Sequence, residues 1–396
     1  MSLEKDALHL HEKLRGKLEI RSKVKIDHNS LKLAYTPGVA EPCREINRNP
    51  DLVCKYTNVC NTVAVISDGS AVLGLGNIGP QAGLPVMEGK CILFKEFADI
   101  DAYPIILSTQ DPEKIIDAIK VISPSFSGIN LEDISAPRCF QIEEALQDIG
   151  IPVFHDDQHG TAIVVLAALI NASKVLKKDM SVMKVCVSGA GPAGTAIAKM
   201  LTCFGLNKKI CSPVNDLIVV DSKGIISKDR EEMDEHKKEL SKITNKENRK
   251  GGLAEAIEGA DVFVGLSRGG IVSEQMIRSM NNDAIVFAMA NPTPEIMPDI
   301  AKKAGARIIG TGRSDFPNQI NNVLGYPGIF RGALDARATK INVEMKLAAA
   351  YALAECVQKP TFDKIIPNPF DKNVVKEISQ AVKKEALKTG ISQISV

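Results

Sequence analysis

Residues 183–200 read MKVCVSGAGPAGTAIAKM, and this stretch decides the fold. The apolar run MKVCVS predicts a buried strand, and TAIAKM begins a helical pattern directly after the glycines. Between them Gly189, Gly191 and Gly194 form the pattern G-x-G-x-x-G, and Pro192 suits a first helical turn, where an amide N–H has no intrahelical partner. A strand, this loop and a helix N-terminus together predict a Rossmann-like dinucleotide site rather than a plain glycine-rich turn.

The segments on either side repeat an alternation of strands and helices. Strand-like runs are TVAVIS, AYPIILST, GINLEDIS and IPVFHDD before the motif, and DLIVVDSKG, ADVFVGLS, AIVFAMANPTPE and ARIIGTGRSD after it. This alternation predicts an α/β protein with two domains and parallel-type sheets. A run apolar on nearly every face, beginning at Gly160, is expected to form a buried helix between the halves. We place the domains at residues 1–158 and 159–396, the second being dinucleotide-binding with a C-terminal helical tail.

Composition excludes several classes of function. The chain has 49 basic and 48 acidic residues, so it has no overall charge that would attract nucleic acid or an anionic membrane. The longest uncharged run, residues 69–87, carries five glycines and two prolines, and the first twenty residues mix both charge signs. These features predict neither a spanning helix nor a signal peptide. Nine scattered cysteines without a C-x-x-C pair indicate neither a disulfide framework nor a zinc site, and we expect a reducing, cytoplasmic location.

A second G-x-G-x-x-G pattern lies at residues 74–79 and reads GLGNIG. Pro80, Gly83 and Pro85 follow it, and we expect them to prevent a helix. Because the phosphate site requires a helix N-terminus, we predict no dinucleotide site at this pattern.

Acidic residues close two strands of the first half. Glu132 and Asp133 end GINLED, and Asp156 and Asp157 end IPVFHDD. If these strands are parallel neighbours, their carboxylates converge and repel one another unless a cation lies among them. Mg²⁺ and Mn²⁺ prefer such oxygen ligands. The spacing is equally compatible with a second interpretation, in which the acids are helix N-caps.

Single residues near these motifs carry weaker signals. Lys90 leads into the apolar run CILF, where partial burial and a lowered pKa are expected. Tyr35, in AYTPGVA, has no signal of its own. His155 and His159 share no helix face and have no evident third nitrogen or sulfur ligand, which favours structural roles over zinc binding.

Several motifs in one order resemble those of the malic enzymes, particularly the short forms found in microbes. The resemblance covers nearly the whole chain from about Arg21. The matching segments are AYTPGVAEPC, LGLGNIGPQAGLPVMEGKCILFK, LEDISAP, FHDDQHGTA, GAGPAG, ANPTPE and GTGRSDFPNQINNVLGYPG. Their common order is far more specific than any single motif. The resemblance implies that the N-terminal domain binds substrate and metal.

Carried over by position, the family's metal ligands fall on Glu132, Asp133 and Asp157, which favours the metal interpretation over the helix caps. The family's catalytic lysine falls on Lys90, and its catalytic tyrosine falls on Tyr35. These assignments rest on the resemblance alone.

Further positions follow in the same way. Asp156 becomes a carboxylate that supports the metal site or contacts the lysine. Asn291 and Asn322 match residues that contact the cofactor ribose and the substrate in the family. One position departs from the pattern, because larger malic enzymes carry an arginine just before LGLG that binds a substrate carboxylate, and this chain has Ala71 there.

The resemblance implies oxidative decarboxylation of L-malate to pyruvate and CO₂, with NAD or NADP and with Mg²⁺ or Mn²⁺. Lys90 would take the hydroxyl proton, the ion would stabilise the electrons left by CO₂, and Tyr35 would protonate enolpyruvate at C3. The alternatives are a malolactic enzyme, a catalytically silent nucleotide sensor and an amino-acid dehydrogenase. A homodimer is expected from the resemblance and from an amphipathic helical segment at about 3–19 that neither domain needs.

The choice of cofactor rests on the turn that follows DLIVVD. Asp221 would accept a hydrogen bond from a free ribose 2′-hydroxyl, which favours NAD. Ser222 and Lys223 place a hydroxyl and a cation where the 2′-phosphate of NADP would lie. The D-S-K-G turn resembles that of NADP-dependent malic enzymes, and we favour NADP. The mixed-charge run at residues 228–250 is interpreted as a solvated helix and loop.

Overall fold

The structure, a computed structural model, describes residues 3–72, 74–206 and 210–394. Its N-terminal segment is helical, and none of the four helices there contains a buried residue. They are α1 (Leu3–Leu14), α2 (His28–Ala34), α3 (Ala40–Arg48) and α4 (Val53–Tyr56). The helix predicted over residues 3–19 ends early, because Arg15 and Gly16 adopt positive φ angles of 54° and 107°.

A four-stranded parallel sheet follows, with the strand order β2-β1-β3-β4. Its strands are β1 (Thr62–Ser67), β2 (Asp101–Ile106), β3 (Ile129–Leu131) and β4 (Val153–His155). The helices α5 (Pro80–Ala98), α6 (Pro112–Ile122) and α7 (Arg138–Ala145) connect them. The four strands lie in the predicted apolar runs, apart from Asp101, which precedes AYPIILST by one residue. Because β3 and β4 are parallel neighbours, the acids at their carboxyl ends lie side by side.

The helix α5 shows that the prediction of no helix after residue 79 is wrong. Gly79 is its N-cap, and Pro80 occupies the first helical position, where no amide hydrogen is needed. Pro85 lies inside the helix and removes one backbone hydrogen bond, which a helix of 19 residues tolerates. The pattern at residues 74–79 still lacks a strand directly before it, since β1 ends earlier.

The helix α8 (Asp156–Leu176) is the predicted apolar helix between the halves, but it begins at Asp156 rather than at Gly160. It is long and apolar enough to span a membrane, yet 61% of its most apolar window is buried inside the protein, as is typical of a core helix. Its N-cap is His155, whose side chain forms no capping hydrogen bond. Asp156 and Asp157 therefore occupy the first turn without being N-caps.

The second half of the chain forms a six-stranded sheet with the strand order β10-β9-β8-β5-β6-β7. Every pairing is parallel except that of β6 with β7. The strands are β5 (Lys184–Ser188), β6 (Asp216–Asp221), β7 (Gly224–Ile225), β8 (Val262–Gly265), β9 (Ile285–Ala288) and β10 (Ile308–Thr311). The helices are α9 (Pro192–Leu201), α10 (Glu235–Ile243), α11 (Leu253–Ile257), α12 (Glu274–Arg278) and α13 (Pro298–Ala304).

This order confirms the predicted fold class. The strand order reverses between β5 and β8, and the carboxyl ends of strands at such a point form the ligand crevice of Rossmann-like sheets. The short antiparallel strand β7 was not predicted.

Three helices complete the chain: α14 (Tyr326–Asp335), α15 (Val343–Glu355) and α16 (Lys372–Lys388). The first of them packs back on the N-terminal half. The ring of Tyr326 lies 4.8 Å from that of Phe94, and Phe330 lies 5.8 Å from Phe154, measured between ring centroids. The domain boundary near residue 158 stays a prediction.

Two pairs of cysteines form disulfides, Cys54 with Cys60 and Cys203 with Cys211. The expectation of no disulfides is wrong for these pairs. Each joins residues six or eight positions apart, a spacing that carries no signal in the sequence. The cytoplasmic location expected from the cysteines stays a prediction.

Candidate active site

A cavity of about 1010 Å³ is bounded by both halves of the chain. On one side it is lined by α5, by the loop after β3 and by the first turn of α8. On the other side it is lined by the first turn of α9 and by the loops after β8, β9 and β10. The carboxyl ends of parallel strands from both sheets therefore face one space.

Three acidic side chains converge in this cavity. One carboxylate oxygen each of Glu132, Asp133 and Asp157 lies within 4.8 Å of the other two. The backbone N–H of Asp133 donates to Asp157 Oδ2 at 2.9 Å, which holds the two strand ends together. Asp133 has a φ of 53°, a left-handed conformation that is rare outside glycine and is found often at functional sites. The structure brings the three predicted metal ligands together.

The cluster fits a divalent cation such as Mg²⁺ or Mn²⁺. Glu132 and Asp133 are buried and Asp157 is half-buried. Burial raises the pKa of Glu132 and of Asp157, and attraction to Lys90 opposes that rise. A divalent ion with oxygen ligands would stabilise these carboxylates in their ionised form.

Lys90 lies on α5 beside the acids, with 7% of its side chain exposed. Its Nζ lies 2.5 Å from Asp156 Oδ2, 2.8 Å from Glu132 Oε1 and 4.1 Å from the centre of the Tyr326 ring. Burial alone would lower the pKa of Lys90, but attraction to Asp156 and Glu132 raises it well above its usual value. The predicted lowering of this pKa is therefore wrong, because the sequence does not show that two buried carboxylates flank the ammonium.

Asp156 is not one of the three converging acids, and its carboxylate contacts the ammonium of Lys90 instead. Burial raises the pKa of Asp156 to about 7, although attraction to Lys90 opposes the rise. A carboxyl group with a pKa near neutrality, in direct contact with an ammonium, can exchange a proton with it.

Glu143 on α7, which the sequence analysis missed, holds the turn between β4 and α8. It is 8% exposed and accepts hydrogen bonds from the His155 backbone N–H at 3.2 Å, the Gln158 amide at 2.9 Å and His159 Nε2 at 2.9 Å. Burial would raise the pKa of Glu143, but the contact with His159 lowers it to about 2. His159 is thus held by Glu143, and its structural role stays a prediction.

Tyr35 does not line the cavity. It is the C-cap of α2 and is 65% exposed. Within one chain the structure therefore does not bring Tyr35 to Lys90.

The dinucleotide motif has the geometry that its glycines predict. Gly189 has a φ of 121°, and a Cβ there would lie 3.0 Å from the carbonyl oxygen of Leu266. A Cβ on Gly194 would lie 1.8 Å from the carbonyl oxygen of Gly189, so only glycine lets α9 pack this closely. Gly191 is the N-cap of α9, and the position of its absent Cβ has nothing within 4 Å. This open space at a helix N-terminus fits a pyrophosphate.

Asp221 ends β6, where a ribose-binding acid is expected, but it is already paired. Arg230 Nη2 donates to Asp221 Oδ2 at 2.7 Å, and Lys237 Nζ lies 3.1 Å from the same oxygen. Burial would raise the pKa of Asp221, but these donors lower it overall. Both cations belong to the run at 228–250, so the prediction that this run is only a solvated surface is wrong for them. The hairpin of β6 and β7 returns the run to Asp221.

The remaining predicted site residues lie either in the cavity wall or on the turn after β6. Asn291 and Asn322 line the cavity, as does Ala71. Ser222 and Lys223 are exposed on the turn after β6, where Lys223 Nζ lies 2.8 Å from Glu232 Oε2.

Family models match both the half that carries the acids and the half that carries the dinucleotide motif. The family model described as malic enzyme, N-terminal domain, matches residues 15–147, and the one described as malic enzyme, NAD binding domain, matches residues 158–390. The chain is 54% identical to the bifunctional malic/malolactic enzyme of Bacillus subtilis, over 100% of this chain and 96% of that one. It is 46% identical to the NADP-dependent malic enzyme of Halomonas elongata, over 98% and 94% respectively.

A solved structure is also similar to this chain over its whole length. The crystal structure of malic enzyme from Pyrococcus horikoshii superposes with a TM-score of 0.93 at 49% identity, covering 100% of this chain and 93% of that chain. With both family models and full-length relatives in agreement, the chain belongs to the malic enzyme family of NAD- or NADP-dependent oxidoreductases.

Proposed function

We propose that this protein oxidises and decarboxylates L-malate to pyruvate and CO₂, with NADP as hydride acceptor and with Mg²⁺ or Mn²⁺ held by Glu132, Asp133 and Asp157. The observation that carries the proposal is the convergence of three acids and the buried Lys90 in the cavity that the dinucleotide motif also borders. A protein that only senses a nucleotide would need neither group.

The side chains have separate tasks in this reaction. When bound, the dinucleotide accepts a hydride and the divalent ion withdraws electrons from the substrate oxygens. Lys90 must be neutral to take the hydroxyl proton, and it reaches that state by passing its own proton to Asp156, 2.5 Å away. Loss of CO₂ leaves enolpyruvate, which requires a proton at C3, and Tyr35 is the proposed donor.

The position of Tyr35, outside the cavity of its own chain, supports the prediction of a homodimer. The N-terminal segment exposes large apolar side chains, including Ile20 at 89%, Leu3 at 82% and Leu33 at 77%. Exposed apolar surface of this extent is typical of a protein interface. We propose that a second copy covers this segment and that each Tyr35 completes the cavity of the opposite subunit.

The preference for NADP rests on the surroundings of Asp221. The carboxylate of Asp221 faces two cations, Arg230 and Lys237, and the ammonium of Lys237 also lies 3.6 Å from Asp234 Oδ2. A guanidinium and an ammonium are both suitable donors to the 2′-phosphate of NADP, and a carboxylate already bound by two donors is a poor acceptor for a free ribose hydroxyl. Lys223 remains a further candidate for the phosphate.

The malolactic alternative has one specific support, since the relative from Bacillus subtilis is described as a bifunctional malic/malolactic enzyme. Incubating the protein with L-malate, Mn²⁺ and NADP, and measuring NADPH, pyruvate and lactate separately, distinguishes the two reactions. Pyruvate formed in step with NADPH is the expected result. Lactate without net NADPH would establish the malolactic reaction instead, and no product would favour a nucleotide sensor. Activity that resists EDTA would favour an amino-acid dehydrogenase.

A further inference from the structure

The acidic side of the cavity cannot attract both ends of a dicarboxylate. Four carboxylates, those of Glu132, Asp133, Asp156 and Asp157, face the single ammonium of Lys90. A divalent ion would offset two negative charges and provide a place for one substrate carboxylate. Asn291 and Asn322 offer amide donors on the wall, but a cation there would bind the second carboxylate more strongly, since Lys90 is already held by Asp156 and Glu132.

Two further basic residues line the same cavity. Among the described lining residues, the basic side chains other than Lys90 are His11, on α1, and Lys17, in the segment that follows it. Both reach the cavity from the N-terminal segment, on the wall formed by α5. Neither was singled out by the sequence analysis, since a lysine in a polar stretch is ordinarily solvated.

The ammonium of Lys17 is fixed in place but not saturated. Its Nζ donates to the carbonyl oxygen of Pro85 at 2.7 Å and lies 2.7 Å from His11 Nε2. His11 Nδ1 lies 2.8 Å from the carbonyl oxygen of Ala7, which assigns the imidazole proton to Nδ1 and makes Nε2 the acceptor. These two contacts use two of the three protons that an ammonium donates.

The backbone around Lys17 is anchored to the helix that carries Lys90. The Lys17 N–H donates to Glu88 Oε2 at 3.0 Å. A Cβ built on Gly89 would lie 3.9 Å from Lys17 Nζ, so the ammonium rests against a residue without a side chain, next to Lys90 in sequence. Lys17 therefore lies against the part of α5 that holds Pro85 and Gly89, directly before Lys90, but it makes neither of the acid contacts that Lys90 makes.

We propose that Lys17, positioned by His11, binds the substrate carboxylate that points away from the acidic cluster, and so selects dicarboxylic over monocarboxylic 2-hydroxy acids. The assignment rests on the proposed function, because it takes a four-carbon dicarboxylate as the occupant of the cavity. The chemistry is that of a charge-assisted hydrogen bond between an ammonium and a carboxylate.

The test compares two ligands that differ by one carboxylate. The dissociation constants of L-malate and L-lactate are measured by calorimetry with Mn²⁺ and NADPH present, for the wild type and for Lys17→Gln. The variant is expected to bind L-malate about 10- to 100-fold more weakly and L-lactate as before. Lys17→Arg keeps the charge and should retain most of the preference for L-malate.

A matched control lies on the same segment. Lys13 is exposed in the last turn of α1 and does not appear in the wall of the cavity, so Lys13→Gln should bind both acids as the wild type does. Equal weakening of both ligands in Lys17→Gln, or no weakening, would overturn the role of Lys17 while leaving the proposed function intact. A wild-type protein that does not bind L-malate at all would overturn the proposed function itself.

Discussion

The ammonium of Lys90 lies 2.5 Å from the carboxylate of Asp156, and the exposed fractions of these side chains are 7% and 0%. The carboxylate is the neighbouring group that can accept the proton when the ammonium loses it. Asp156→Asn keeps the shape of the side chain but cannot take up the proton. We expect kcat to fall about 100-fold.

The same variant has a defined effect on pH dependence. The neighbouring carboxylate stabilises the charged form of the lysine and raises the pKa of Lys90. Removing that negative charge lowers this pKa, so the neutral lysine forms at lower pH. The acidic limb of the kcat profile should therefore move to lower pH, measured at saturating Mn²⁺. An unchanged kcat and an unmoved limb would show that Asp156 does not exchange a proton with Lys90.

The converging acids predict a different response to substitution. Asp157→Ala removes one of the three carboxylates, and we expect the affinity for Mn²⁺ to fall more than about 100-fold. NADPH binding, measured by fluorescence, should change little, because the motif glycines lie on the other half of the chain. Glu132→Ala should lower the affinity for Mn²⁺ to a similar extent.

Asp148→Asn provides the control, since that side chain is 93% exposed and lies apart from the cavity wall. Its affinity for Mn²⁺ should equal that of the wild type. If Asp157→Ala and Glu132→Ala also bind Mn²⁺ normally, the acids are not metal ligands.

The cations around Asp221 give a test of cofactor choice. Arg230→Ala removes a positive charge and one of the two donors to Asp221 Oδ2, which leaves that oxygen a better acceptor for a ribose hydroxyl. The KM for NADP should rise about 10-fold, and the KM for NAD should fall or stay constant. Steady-state kinetics with each cofactor at saturating L-malate and Mn²⁺ measure both effects.

Lys223→Ala tests the residue that the D-S-K-G turn predicts. If Lys223 leaves Glu232 to bind the phosphate, the KM for NADP should rise while the KM for NAD hardly changes. Equal changes for both cofactors, or a wild-type enzyme that prefers NAD, would mean that Asp221 decides the choice.

The sequence predicted those parts of the molecule that depend on local pattern. All nine predicted strands are present, since each is a short apolar run that a parallel sheet buries. The acids of the site were placed correctly at neighbouring strand ends, because such ends always share one edge of a parallel sheet. The start of α8 was missed, since Asp156 and Asp157 are polar and do not extend the apolar pattern that marked the rest of the helix.

Contacts between residues distant in sequence were not predicted. The environment of Lys90 on α5 depends on Glu132, directly after β3, and on Asp156, the first residue of α8, so the predicted pKa shift of Lys90 has the wrong sign. The run at residues 228–250 has the mixed charges of a solvated surface, and only the hairpin after β6 returns Arg230 and Lys237 to Asp221. Composition does not predict such pairings, since the side chains involved are ordinary surface types.

The position of Tyr35 leads to a test by subunit mixing. Lys90→Ala and Tyr35→Phe should each be nearly inactive as pure proteins. If each tyrosine completes the opposite cavity, a mixed dimer contains one site with both Lys90 and Tyr35 intact. Random reassembly of equal amounts should then recover about a quarter of the wild-type activity, because half of the dimers are mixed and each has one working site.

The arrangement within a single chain gives the opposite result. If Tyr35 reached the cavity of its own subunit, each site of a mixed dimer would lack either the lysine or the tyrosine, and mixing would restore nothing. A dimer of two Lys90→Ala subunits reassembled with itself controls for the unfolding step. Sedimentation at micromolar concentration checks the assembly, and a fully active monomer would contradict both the dimer and the shared site.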